Sequence, residues 1–176
     1  VAGLMEQRAE IDPGCDLLVC PPFVTLRPVA DIIEGSPIAL GAQDCHTDNS
    51  GAHTGDVSAE MLADAGCEFV IVGHSERRAD HHEGDALVAS KADAANASGL
   101  KAVICVGETL DQRNVEETLS VVETQLLNSV LDGATEKNTV VAYEPVWAIG
   151  TGLTPTIEQI SEVHNHIRAQ LAARFA

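Results

Sequence analysis

Five short apolar segments recur along the chain, and their regular spacing restricts the fold more than any other feature of the sequence. Each segment is nearly continuous in aliphatic residues, alanine and cysteine, and the five are residues 16–20, 38–42, 69–73, 101–106 and 139–143. Strands covered on both faces have such uninterrupted apolar runs, whereas half-exposed strands alternate apolar with polar residues. The sequence therefore predicts five parallel strands that are buried on both faces.

Longer segments with helical periodicity separate and follow these runs. They are residues 29–34, 58–65, 86–98, 115–131 and 157–173. The last segment has apolar residues at three- and four-residue spacing, namely Ile157, Ile160, Val163, Ile167 and Leu171. Thr156 with Gln159 is a predicted capping box at its start. Parallel strands that alternate with helices through right-handed crossovers predict an α/β fold, either an open doubly wound sheet or part of a (β/α)₈ barrel.

Charge and composition exclude several classes of protein. The 176 residues carry 27 Asp and Glu against 10 Lys and Arg, and the net charge of −17 would repel nucleic acid and anionic membranes. No apolar run reaches the roughly 18 residues of a membrane helix, and the first residues have no secretory signal pattern. The five cysteines contain no CxxC pair, which favours a reducing compartment. We therefore expect one soluble, cytoplasmic domain over residues 1–176.

Ionisable residues follow four of the predicted strands. Asp44, His74, Glu108 and Glu144 stand at or just after successive strand ends, where α/β proteins gather their catalytic groups. An acidic residue after a strand often caps the next helix instead, and we favour that interpretation for Asp44 and Glu108. His74 and Glu144 remain as candidates for catalysis.

His74 stands between an apolar strand and the segment Ser75-Glu76-Arg77-Arg78, which is predicted to form a short helical turn. Backbone N–H groups at the start of such a turn disfavour the cationic form of the imidazole. A neutral histidine at that point can donate a hydrogen bond to a carbonyl. A strand-end histidine that bonds only to its neighbours explains the pattern equally well.

Glu144 precedes the segment Pro145-Val146-Trp147-Ala148-Ile149-Gly150-Thr151-Gly152. A carboxylate at a strand end, beside an apolar loop that ends in glycines, is typical of a general base that the loop can cover. Removal of water by that loop would raise the basicity of the carboxylate. The alternative is an ordinary strand-to-helix turn stiffened by Pro145. It is weaker because the apolar loop residues would then be left in water.

Five segments together resemble the triosephosphate isomerase family. They stand in the family's order and approximate spacing, and they are residues 41–45 (GAQDC), 51–58 (GAHTGDVS), 72–78 (VGHSERR), 105–110 (CVGETL) and 143–152 (YEPVWAIGTG). The resemblance implies a partial TIM (β/α)₈ barrel with five of its eight strands. It also implies an aldose-ketose isomerase of glycolysis and gluconeogenesis, which interconverts dihydroxyacetone phosphate and D-glyceraldehyde 3-phosphate.

The resemblance implies a role for each matching residue. Glu144 would be the base that removes a carbon-bound proton, and neutral His74 would be the electrophile that polarises the carbonyl and stabilises an enediolate. Gly150 would donate its backbone N–H to the substrate phosphate. Glu76 would be a supporting catalytic group, and Ser75 would assist substrate binding. This chemistry needs no organic cofactor and no metal.

The resemblance also implies the partners. The segment 51–58 resembles a loop that projects into a neighbouring subunit, so Thr54 is expected to contact that subunit in a homodimer. A small phosphorylated triose would be the substrate. We interpret the pair His81-His82, and His164 with His166, as solvated surface residues, because no third metal ligand with suitable spacing accompanies either pair.

The chain also departs from the family pattern. Before Cys15 it has only the helical pattern of residues 4–11, where the family has a strand with Asn and Lys, and nothing after residue 176 matches the last two strands. We therefore expect an internal segment of the barrel with an incomplete phosphate site, so isomerase activity of these 176 residues alone is not expected. The alternative is a catalytically incompetent interaction module on the same scaffold.

Overall fold

A computed structural model of the chain describes residue 3 and residues 14–175. The helical pattern of residues 4–11 lies outside these described residues. Within them, strands and helices alternate along the chain from Leu17 to Phe175. The predicted α/β class is therefore confirmed.

Five parallel strands form one sheet, and their order in the sheet follows the chain, β1-β2-β3-β4-β5. The strands are β1 Leu17–Val19, β2 Ile38–Ala42, β3 Phe69–Val72, β4 Lys101–Val106 and β5 Thr139–Tyr143. In the register, Leu17 lies opposite Ile38, and Gly41 lies opposite Phe69. Each strand begins and ends within one residue of its predicted bounds. The prediction that all five strands are buried on both faces is wrong for β1 and β5, where Leu18 and Val140 are 37% and 41% exposed, because these two strands lie at the edges of the sheet.

The described residues contain seven α-helices and two short 3₁₀ helices, Phe23–Thr25 and Val146–Ala148. The α-helices are α1 Leu26–Ile33, α2 Ala59–Asp64, α3 Ser75–Asp80, α4 Asp85–Ala97, α5 Leu110–Asn114, α6 Thr118–Ser129 and α7 Ile157–Phe175. Along α1 the buried residues are Leu26, Val29 and Ile33, at helical spacing. None of the helices in this described part is long and apolar enough to cross a membrane.

The segment predicted as one helix over residues 115–131 is different in the structure. The short helix α5 precedes it, with a capping box between Thr109 and Gln112. Glu116 then adopts a φ of 61°, and this left-handed conformation interrupts a right-handed helix. Helix α6 therefore begins only at Thr118. Apolar periodicity does not reveal a single left-handed residue, which is why the sequence predicts a longer helix.

The start of α7 is the capping box that the sequence predicts. Gln159 N donates to Thr156 Oγ1 at 3.3 Å, and the Gln159 side-chain oxygen accepts from Thr156 N at 2.8 Å. These two bonds satisfy backbone groups that have no partner within the helix. Further along α7, Val163 and Ile167 are buried, as their spacing predicts, whereas Ile157 at the first position of the helix is 77% exposed.

The chain divides into two compact units, each with its own apolar interior. Among the described residues, the first unit comprises residue 3 and residues 14–72, 90–103 and 135–140, and the second comprises residues 73–89, 104–134 and 141–175. Fully buried side chains include Leu62 and Val70 in the first unit, and Ile104, Val122 and Val163 in the second. The single domain over residues 1–176 stays a prediction.

Candidate active site

The turn after β3 determines where His74 lies. Gly73 adopts a φ of 69°, and a Cβ atom there would come within 2.7 Å of the Val88 side chain, so conformation and space both favour glycine. His74 follows as the N-cap of α3, and its Nδ1 accepts from Glu76 N at 3.3 Å. A nitrogen that accepts carries no proton, so the neutral ring has its proton on Nε2. His74 therefore presents an N–H donor at Nε2.

Glu144 lies directly after β5, next to the end of β4. Its backbone N–H donates to Val106 O at 2.9 Å. The neighbouring Gly107 approaches so closely that any Cβ atom would collide with the Glu144 carbonyl oxygen. Gln125 holds Gly107 in place, because its side chain accepts from Gly107 N at 2.8 Å and donates to Gly107 O at 3.1 Å. The missing side chain at Gly107 thus lets the two strand ends meet.

The Glu144 carboxylate contacts both His74 and Ser75. Its Oε1 accepts from Ser75 N at 2.6 Å, and its Oε2 accepts from Ser75 Oγ at 3.2 Å. Oε2 also lies 3.1 Å from His74 Nε2, the atom that carries the imidazole proton. Three residues that the sequence singles out, His74, Ser75 and Glu144, are therefore in direct contact.

Burial determines the basicity of Glu144. Its side chain is 15% exposed, and the loss of surrounding water raises its pKa above the ordinary 4.5 of glutamate. Three contributions lower this pKa without cancelling the rise. They are the charge of His74, the hydrogen bonds from Ser75 and the charge of Arg78. A carboxyl group with a raised pKa is a stronger base when it is ionised.

Arg78 holds the backbone around these residues together. Its Nε donates to Gly73 O at 2.8 Å, immediately before His74 in the chain, and its Nη2 donates to Cys105 O at 3.3 Å. Its Nη1 also donates to Asp85 Oδ1 at 2.6 Å. Charge-assisted hydrogen bonds of this kind are stronger than neutral ones. They fix the carbonyl group from which the His74 turn begins.

Glu108 fixes the start of the loop that follows Glu144. Its buried carboxylate accepts from Trp147 Nε1 at 2.9 Å, from Arg113 Nη1 at 3.0 Å and from Tyr143 Oη at 3.1 Å. Burial and the neighbouring Glu108 charge raise the pKa of Tyr143, so the phenol keeps its proton and remains a donor. The Arg113 guanidinium also lies 4.9 Å from the Trp147 ring centre, a cation–π contact.

The helix-cap interpretation of Glu108 is wrong. Thr109 caps the helix that follows, α5, and this leaves Glu108 free to bind the indole. The strand-end pattern therefore did not reveal that Glu108 anchors the loop after Glu144. One signal could have found it, because the chain's single Trp needs an acceptor when it is buried. Asp44, the other residue interpreted as a cap, binds Lys91 Nζ through both carboxylate oxygens at 2.7 and 2.8 Å, and both residues are buried.

Three further residues singled out by the resemblance, Glu76, Gly150 and Thr54, lie at the surface. The Glu76 side chain is 73% exposed, with Oε2 3.7 Å from His74 Nδ1. Gly150 lies in an exposed turn with a φ of 67°, in the left-handed region that favours glycine. Thr54 belongs to the first compact unit and also lies in an exposed turn.

This arrangement of side chains can move a proton between carbon and oxygen. A carbonyl oxygen placed against His74 Nε2 would receive a hydrogen bond, and the adjacent carbon could then be placed within reach of Glu144. Within the described part of the chain, the three residues grouped closely enough to hold a metal ion are His46, His53 and Asp56, which belong to the first compact unit.

Comparison with known proteins decides the family. The family model for triosephosphate isomerase matches residues 1–176. The chain belongs to the triosephosphate isomerase family. The triosephosphate isomerase of Ruegeria sp. (strain TM1040) is 58% identical over 168 residues, which cover 96% of this chain and 68% of that protein. The triosephosphate isomerase of Chelativorans sp. (strain BNC1) is also 58% identical, over 162 residues that cover 92% of this chain and 64% of that protein.

A solved triosephosphate isomerase has the same fold. The crystal structure of the enzyme from Bartonella henselae gives a TM-score of 0.84 at 46% identity, covering 90% of this chain and 64% of that chain. The predicted partial TIM barrel is thereby confirmed. The chain spans about two thirds of the length of these triosephosphate isomerases, and proteins of this family are aldose-ketose isomerases.

Proposed function

We propose that this chain supplies the proton-transfer residues of a triose-phosphate isomerase, which interconverts dihydroxyacetone phosphate and D-glyceraldehyde 3-phosphate. The observation that carries the proposal is the 3.1 Å separation of His74 Nε2 and Glu144 Oε2. It joins a neutral N–H donor to a base whose pKa burial raises. Membership of the family supports a triose phosphate as the substrate.

In the proposed reaction, Glu144 removes a proton from the carbon next to the substrate carbonyl. The electron pair of that C–H bond forms a C=C bond, and the carbonyl oxygen becomes negatively charged in an enediolate. The His74 Nε2–H group stabilises this charge and exchanges its proton between the two substrate oxygens. Glu144 then returns its proton to the other carbon, which exchanges the aldehyde for the ketone.

Glu144 has to change its hydrogen-bond partners before it can act. Ser75 N and Ser75 Oγ both donate to its carboxylate, and these bonds occupy oxygen atoms that would otherwise receive the substrate proton. Substrate binding would replace at least one of them. Ser75 therefore holds the base in place without substrate and releases it when substrate enters.

The loop after Glu144 supports a role for Gly150 in phosphate binding. Trp147 anchors the start of the loop through its bond to Glu108. Gly150 is exposed, and a Cβ atom at this position would meet nothing within 4 Å. The far end of the loop thus has room to close over a bound phosphate, where the Gly150 N–H group would donate to it.

We propose a homodimer in the cytoplasm in which Thr54 contacts the neighbouring subunit. Its position on an exposed turn is consistent with that contact. Glu76, 3.7 Å from His74 Nδ1, would act as a supporting group at the histidine.

The test is isomerisation in D₂O by a full-length enzyme that contains these residues. Proton removal by Glu144 predicts deuterium on the carbon next to the carbonyl of the product. The variant Glu144→Gln should incorporate none, and His74→Gln should lower turnover about 10²- to 10³-fold because the enediolate loses its donor. The exposed Glu136 provides a matched control, and Glu136→Gln should behave as the wild type.

Several outcomes would overturn the proposal. Deuterium incorporation by Glu144→Gln at the wild-type rate would exclude Glu144 as the base. If His74→Gln mainly unfolds the protein, the alternative is favoured in which His74 has a structural role and no catalytic one. A folded wild-type enzyme without isomerase activity would favour the interaction module.

A further inference from the structure

A turn in the first compact unit brings two histidines and an aspartate together. His46, His53 and Asp56 each offer one metal-ligating atom, and these three atoms lie within 4.8 Å of one another. The two imidazole centres are 4.0 Å apart, and His46 Nε2 lies 3.8 Å from Asp56 Oδ2. Zinc bonds of 2.0–2.1 Å in a tetrahedral site separate neighbouring ligand atoms by about 3.3 Å. Small side-chain movements would therefore bring the three groups to coordination distance.

The backbone already holds the three residues in this arrangement. His46 N donates to Val57 O at 2.8 Å, and His46 and Ser58 form a parallel bridge. Asp56 N donates to His53 O at 3.0 Å, which closes the turn between these two residues. A site built on a fixed backbone loses less conformational entropy when it binds an ion.

Asp48 provides His53 with the partner that a ligating histidine usually has. Its Oδ2 lies 3.1 Å from His53 Nε2, and metal-bound histidines commonly donate their second ring N–H to a carboxylate. When Nε2–H donates to Asp48, Nδ1 carries the lone pair and is the coordinating atom. Gly51 leaves space for this ring, because a Cβ atom there would come within 2.7 Å of His53 Nε2.

We propose that His46, His53 and Asp56 form a binding site for a divalent transition metal, with Zn²⁺ as the representative ion. Two imidazoles and one carboxylate suit Zn²⁺, Co²⁺ or Ni²⁺, whereas Mg²⁺ and Ca²⁺ prefer sites made of oxygen atoms. In the single chain the two histidine side chains are 24% and 33% exposed, so an ion can reach them before the proposed subunit contact forms. The net charge of −17 also attracts cations.

Metal binding would change one hydrogen bond in the turn. In the metal-free structure His46 Nδ1 accepts from Asp48 N at 2.9 Å, so the neutral ring has its proton on Nε2. Coordination through Nε2 releases that proton to solvent, and Nδ1 takes up a proton in its place. The hydrogen bond from Asp48 N then breaks, which makes the Asp48 amide a local reporter of binding.

The site is independent of the isomerase chemistry, because none of its residues has a role in the proposed proton transfer. Thr54 follows His53 directly in the chain. A bound ion would therefore stiffen the turn that carries the proposed subunit contact. This consequence rests on the proposed homodimer, but the metal site does not.

The test is a Zn²⁺ titration followed by calorimetry and by two-dimensional ¹H–¹⁵N NMR of the wild-type protein. Accessible thiols are blocked first, because the chain has five free cysteines that also bind zinc. We expect one equivalent of Zn²⁺ to bind at this site, with Mg²⁺ much weaker. The amide signal of Asp48 and the ring signals of His46 and His53 should shift together.

Matched variants assign the binding to these residues. His53→Gln and Asp56→Asn should each weaken Zn²⁺ binding at least tenfold, and Asp48→Asn should weaken it about 10- to 100-fold. His81→Gln removes an exposed histidine outside the site and should bind as the wild type. The NMR spectrum shows in each case whether the variant is folded.

Two results would overturn the proposal. One is a wild-type protein that binds Zn²⁺ no more tightly than Mg²⁺. The other is a set of folded His53→Gln and Asp56→Asn variants with wild-type affinity.

Discussion

Two carboxylates at the ends of neighbouring strands, Glu108 after β4 and Glu144 after β5, have opposite surroundings. Glu108 is completely buried and accepts hydrogen bonds from a guanidinium, a phenol and an indole. Glu144 keeps 15% of its side chain exposed, accepts two hydrogen bonds from Ser75 and lies 3.1 Å from His74 Nε2. The same residue type at equivalent positions thus has two different surroundings within one compact unit.

The difference shows what separates a structural carboxylate from a reactive one. The Arg113 cation lies 3.0 Å from Glu108 and balances its charge. The two hydrogen bonds that Ser75 donates to Glu144 come from neutral groups, and burial raises the pKa of Glu144 although the charges of His74 and Arg78 lower it. A charge-balanced carboxylate holds its neighbours in place, whereas an incompletely balanced one is available to take up a proton.

Among substitutions of these two carboxylates, the largest effect is expected for Glu144→Asp in a full-length enzyme. The substitution keeps the charge but withdraws the carboxylate by about one methylene, a displacement of the size that can lower turnover about 10²-fold. Turnover and thermal melting should be measured together, with Glu136→Gln as the control. The melting temperature should change little. Unchanged turnover would remove the distinction between Glu144 and Glu108.

An intermediate effect is expected for Glu108→Gln, and it should fall on stability. This substitution keeps the shape of the side chain but leaves Arg113 without its counter-charge, and hydrogen bonds to charged groups contribute about 1.5–3 kcal/mol. We expect a loss of about 2 kcal/mol in the free energy of unfolding, measured by urea denaturation. A variant with wild-type stability and the turnover defect of Glu144→Asp would show that Glu108 is itself reactive.

The smallest effect is a dependence of stability on pH that Glu144→Gln should abolish. Because the pKa of Glu144 is raised in the folded state, its contribution to stability is fully present below the unfolded value of 4.5 and is lost as the pH rises through the folded value. The melting temperature of Glu144→Gln relative to the wild type should therefore increase over that range. A constant difference between the two proteins would show that burial does not perturb this carboxyl group.

Features that depend on neighbours in sequence could be predicted, and features that depend on distant contacts could not. The bounds 38–42 and 139–143 are the same in prediction and structure, because an uninterrupted apolar run indicates a strand both where it is mostly buried, as in 38–42, and where it is partly exposed, as in 139–143. The Thr156–Gln159 capping box is also local, since both its bonds join residues three positions apart.

The candidate site needed information that sequence patterns do not contain. Ser75 and Glu144 are 69 residues apart along the chain, and no periodicity or spacing predicts their contact. Ser75 and Glu144 could be singled out as candidate site residues only because they follow strand ends and match the motifs of a family. Glu108 has the same strand-end position as Glu144, so only the buried indole and guanidinium around it distinguish the two residues.

The close approach at Gly107 limits how this chain can change over evolutionary time. Every amino acid other than glycine carries a Cβ atom, and a Cβ atom at this position collides with the carbonyl oxygen of Glu144. The collision would force the two strand ends apart and move the carboxylate relative to His74. Substitutions at Gly107 are therefore excluded on steric grounds by the backbone of Glu144, although Gly107 takes no part in the chemistry.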